Sequence, residues 1–105
     1  MKLRDLAHVR TGDKGDISQI SVFAYRDEDF DLLVAWVTPA RVAQFFSALP
    51  CRAIRRYELP SLKALNLVLE GALSGGVTRS LAIDPHGKTL GAQLLDMDIP
   101  FAGDG

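Results

Sequence analysis

Five successive residues, Gly12-Asp13-Lys14-Gly15-Asp16, bring together two glycines, two carboxylates and an ammonium group just before a run that reads as a strand. Gly12 and Gly15 permit tight turns with several backbone N–H groups aimed one way, and Asp13, Lys14 and Asp16 supply a mixed-charge rim. Such a loop can bind a polar or anionic group. It can equally be an Asp-stabilised turn whose lysine pairs with its own neighbours. Asp13 and Asp16 could share a hard cation, but the spacing of a calcium loop is absent and two carboxylates are too few to specify a site. No metal is expected.

A second segment, Gly75-Gly76-Val77-Thr78-Arg79-Ser80, offers close backbone approach at its glycines. Its hydroxyls and guanidinium suit a phosphate or carboxylate. It lacks the Gly-Lys-Ser/Thr ending of a P-loop. The competing reading is structural: the two glycines end a helix, and Arg79 bonds Asp13 or Asp16 across the sheet edge. Either way the two loops are expected to meet. With Asn66, the two loops apart from Val77 make up the candidate anion-binding residues.

Little else points to catalysis. No Ser/His/Asp spacing, Cys/His cluster or glutamate pair is present, so the sequence names no catalytic residue and no cofactor. His8 reads as a strand residue and His86 as part of a solvated turn. Cys51 is the sole cysteine, which excludes an intramolecular disulfide and suits a small, partly buried side chain.

The elements that must position these residues follow from periodicity. "KLRDLAHV" alternates as a first strand, and "ISQISVFAY" (17–25) as a second, with Ile20, Val22 and Ala24 on one side. Phe30, Leu33, Val34 and Val37 have helical spacing after an acidic start that suits the helix dipole. Thr38 can cap the next helix, with Pro39 at its first position and Val42, Phe45, Phe46 and Leu49 along one face. "RAIRRYEL" (52–59) reads as a strand whose three arginines imply a wet face or edge.

"LKALNLVLEGAL" reads as a helix with Leu62, Leu65, Leu69 and Ala72 on one face. Asn66, lying within it, needs hydrogen-bond partners if buried. "TRSLAID" (78–84) resembles a further strand, and "TLGAQLLDM" a last helix weakened at Gly91 by about 1 kcal/mol relative to alanine.

At 105 residues the chain is expected to be one domain, 1–105, with a frayed tail at 98–105. Strands interleaved with helices in so short a chain favour an α+β two-layer sandwich, a mainly antiparallel sheet of about four strands with helices on one face. Twelve basic and thirteen acidic residues give a formal charge of −1, which argues against nucleic acid or an anionic membrane as partner. No apolar run is long enough to span a bilayer, and the charged N-terminus is unlike a signal peptide, so a cytoplasmic location is expected.

Three segments in order, Thr11 to Asp16, Tyr57 to Leu73 and Gly75 to Leu81, resemble the small ferredoxin-fold domain of the acyclic terpene utilisation (AtuA-like) family. The resemblance runs from Leu6 to Met97. Gln19 and Val77 depart from the asparagine and glycine of the family pattern, so no ligand contact is carried over to either. The resemblance implies a ferredoxin-like fold, found at the end of a larger protein or as a separate chain beside one. It further implies that the larger partner works on branched terpenoid acids as coenzyme A thioesters.

The expectation is therefore a non-catalytic accessory subunit or domain acting with a larger AtuA-like protein. Exposed sheet edges also leave room for a homo-oligomer. Two alternatives stay open: a small-molecule binding module that uses the two glycine loops for a carboxylate or phosphate, and, more weakly supported, an independent enzyme with Asp16 or His8 as base.

Overall fold

Two antiparallel hairpins, separated by a pair of short helices, build the sheet. The computed structural model describes residues 1–72 and 88–100. In chain order these form β1 (Ala7–Lys14), β2 (Ile17–Ala24), α1 (Phe30–Trp36), α2 (Pro39–Phe45), β3 (Ala53–Leu59), β4 (Ala64–Glu70) and α3 (Lys88–Leu94). The four strands lie in the order β1-β2-β4-β3, every neighbouring pair antiparallel. This is the two-layer α+β sandwich expected from the sequence.

Residues opposite one another in an antiparallel pair share a face, so the register sorts the side chains. Val22 pairs with Leu65, Ile20 with Leu67 and Ser18 with Leu69, and all six are wholly buried. Against them pack Leu33 of α1 and Val37 just past its end, Val42 of α2 and Phe46 just past its end, and Leu90 and Leu94 of α3. Thr38 caps α2 as expected, its Oγ1 accepting a hydrogen bond from the Arg41 N–H at 3.2 Å. The Arg41 guanidinium lies 5.0 Å from the Trp36 ring and donates to the Asp98 carbonyl at 2.7 Å, tying both short helices to the far end of the chain.

Four expectations are corrected. First, "LKALNLVLEGAL" is not a helix: it contributes the inner strand β4. As a helix it would gather Leu62, Leu65 and Leu69 on one side and strand Leu67. As a strand it buries Leu65, Leu67 and Leu69 together, each worth about 2 kcal/mol, which outweighs propensity differences of about 1 kcal/mol. Leu62 is left exposed in the connecting turn.

Second, the first strand begins only at Ala7, because Leu3–Asp5 form a 3-10 turn that buries Leu3. Third, the segment from Gly12 to Asp16 is not an extended loop. Gly12, Asp13 and Lys14 finish β1, and the hairpin closes through Gly15 and Asp16 alone, with Lys14 paired to Ile17.

Fourth, the tail does not fray from residue 98. Lys2 bridges to Asp98, and Ile99 is buried with its N–H on the Met1 carbonyl at 2.7 Å. Residues 101–105, the expected strand at 78–84 and the turn containing His86 lie outside the described residues.

Candidate functional site

The β1–β2 turn sits at one end of the sheet. Gly15, at φ +63°, occupies the first position of the two-residue turn, where a glycine meets the backbone requirement without strain. Asp16 follows and pairs with Arg52, just ahead of β3, through Nη1 to Oδ2 at 2.7 Å. That guanidinium holds the Asp16 carboxyl below its usual range, chiefly through the hydrogen bond.

The same corner contains Gly71, at φ +83°, where an added Cβ would lie 3.0 Å from both the Pro50 carbonyl oxygen and Arg52 Nη1. The end of β4 thus lies beside the hairpin turn, with Ser18 paired to Leu69. Gly75, Gly76, Thr78, Arg79 and Ser80 lie outside the described residues, and with them the expected meeting of the two loops. Sequence reading did not foresee Arg52 as the partner of Asp16.

Gly12 has open space where a side chain would point, and Lys14 is exposed. Asn66 is brought to neither. It lies on β4, between Ser21 of β2 and Tyr57 of β3, on the sheet face opposite the helices. Its Oδ1 is shut off from solvent and accepts no hydrogen bond from a described residue, as is also true of the wholly buried Ser18 Oγ.

The face that carries Asn66 is the larger feature. The register places on it His8, Arg10, Gly12 and Lys14 from β1, and Gln19, Ser21 and Phe23 from β2. Val68 and Glu70 of β4 join them, with Arg55 and Tyr57 of β3. His8, Arg10, Gln19, Arg55 and Tyr57 are exposed there. His8 stacks on Phe23, ring centroids 5.1 Å apart, and leans on Tyr25 at 5.5 Å. His8 is thus the strand residue expected, stacked on an aromatic neighbour.

Two of the arginines expected at a wet edge divide their roles. Arg55 bonds Glu70 through Nε to Oε2 at 2.6 Å on the open face. Arg56 turns the other way, its Nη1 donating to the carbonyls of Val34 and Val37 at 2.7 and 3.0 Å and so closing the end of α1. Cys51 lines an open groove of about 340 Å³ with Pro39, Ala40, Ala43 and Ile54. Burial pushes its thiol up, away from the thiolate a nucleophile needs.

Among the described residues, no three His, Cys, Asp or Glu side chains gather as a metal site, and no described helix is long and apolar enough to cross a membrane. The fold and this open sheet face define a small ferredoxin-like α+β domain. The chain matches the model of the AtuA ferredoxin-like domain over residues 1–100 and belongs to that family. No curated protein and no solved structure matches it.

Proposed function

We propose that this chain is a non-catalytic accessory subunit or domain that acts with a larger AtuA-like protein in the catabolism of acyclic terpenoids as branched acyl-CoA compounds. Membership of the family supports the association with a larger protein. The observation that carries the accessory role is the exposure of side chains across one sheet face, His8, Arg10, Gln19, Arg55 and Tyr57 among them, with Tyr57 51% exposed and Tyr25, just past the end of β2, at 61%. Exposed aromatic rings on a flat, preformed surface are what a docking domain presents.

The hairpin end is a weaker candidate for a small-molecule module, since Asp16 is committed to Arg52 and Gly15 to the turn. The deciding experiment is co-expression of this chain with the larger AtuA-like protein of the same cell, followed by size-exclusion chromatography with light scattering. A stoichiometric complex is the expected result. If the two elute separately at micromolar concentration, the accessory reading fails, and titration of the isolated chain with carboxylates and coenzyme A becomes the next measurement.

A further inference from the structure

The open sheet face differs in charge from the rest of the molecule. It carries Arg10, Lys14 and Arg55, with His8 beside them, and among the described residues its one acidic side chain is Glu70. Glu70 is already engaged by Arg55. Arg10 and Lys14 form no ion pair with a described residue, although the chain as a whole has a formal charge of −1. The other described carboxylates lie on the helix-covered side, in the helical layer or in the turns.

β1 supplies a basic margin, and across β2, β4 and β3 the face carries Phe23, Val68 and Tyr57 among the polar Gln19, Ser21, Asn66 and Arg55. The cross-strand row Arg10, Ser21, Asn66, Tyr57 runs from the basic margin to the exposed tyrosine on β3.

We infer that this face is the docking surface of the chain, and that it receives an acidic protein surface: carboxylates set against Arg10 and Lys14, with apolar atoms set against Tyr57 and Phe23. The inference rests on the accessory reading and adds to it the face used and the chemistry of the partner. Charge complementarity of this kind governs partner choice and encounter rate, while the buried aromatic supplies most of the affinity. A protein fits better than nucleic acid because two uncompensated cations on a chain of net negative charge are too few to track a phosphate backbone.

The test titrates the fluorescently labelled chain with the purified larger AtuA-like protein and follows anisotropy at low and high salt. Arg10→Glu and Tyr57→Ala should each weaken binding about tenfold or more, and salt should weaken the wild type more than Arg10→Gln. Gln44→Glu, on the exposed side of α2, should bind as the wild type does. Lys14→Glu gives a second basic-margin variant should Tyr57→Ala fold poorly, as judged by circular dichroism.

A complex indifferent to all the open-face variants would overturn the inference and leave the accessory role standing. Absence of any complex would overturn both. Arg10-dependent binding of a single-stranded oligonucleotide, with the protein partner ignored, would also overturn the inference by assigning the face to nucleic acid.

Discussion

Gly91 shows how one residue can be read correctly for its cost and still conceal its purpose. By propensity alone, alanine at this position in α3 would gain about 1 kcal/mol. In the structure α3 lies so close to β1 that an added Cβ would fall inside the contact distance of Thr11 Cγ2 and reach 3.2 Å from Val9 Cγ2. The clash involves a β-branched side chain with little freedom to retreat. Gly91→Ala is therefore expected to destabilise the protein by about 1–3 kcal/mol. Thr11→Ser, which removes Cγ2, should recover most of that loss in the double variant. A set of urea midpoints measures both effects, and equal losses with and without Thr11→Ser would disprove the explanation.

At the scale of elements, α1 depends on a residue far along the chain. Its C-terminal carbonyls at Val34 and Val37 are met by Arg56 of β3, a side chain only 17% exposed. Removing one partner of a partly buried charge-assisted bond leaves the others unpaired. Arg56→Ala should lower stability by about 1.5–3 kcal/mol by chemical denaturation. Arg55→Ala, whose ion pair with Glu70 is exposed, should cost about 1 kcal/mol or less.

The second hairpin also shows where sequence reading reached its limit. β2, β3 and both N-terminal helices could be read because alternation, the Thr38-Pro39 start and Pro50 all point the same way. β4 could not, because Leu65 and Leu69 satisfy a helical period as well as an alternating one. Only the tertiary neighbours Ile20 and Val22 decide in favour of the strand. The expected sheet of about four strands is observed, but its fourth described strand is this one. Of the candidate site, the tight turn at Gly15 could be read from its glycine. The open face could not, since it is assembled from four strands whose register no local pattern states.

For the molecule as a whole, pH and salt act mainly through exposed ion pairs. Asp16 is held below the ordinary carboxylate range by Arg52, and Asp98 by Lys2. A depressed folded-state pKa contributes stability above the unfolded value, near 3.8, that is lost as the pH falls through the folded value. Stability should thus be flat from pH 5 upward in this respect and decline in the acid range below about 4. Asp16→Asn should shrink the wild-type advantage at neutral pH slightly and abolish its own share of the acid dependence. Thermal melts from pH 2.5 to 7 at low salt check this, and an Asp16-dependent change confined to the neutral range would contradict it.

The contact between Met1 and Ile99 runs both ways: the Ile99 N–H bonds the Met1 carbonyl at 2.7 Å, and the Met1 ammonium bonds the Ile99 carbonyl at 3.2 Å. Points nearly the whole described chain apart are therefore neighbours in space, which makes the fold suited to circular permutation. A short glycine-serine linker from residue 100 back to residue 1, with new termini cut at the Gly15-Asp16 turn, should leave the sheet order and the open face intact. The permuted chain would then present the same open sheet face from an unrelated point of attachment.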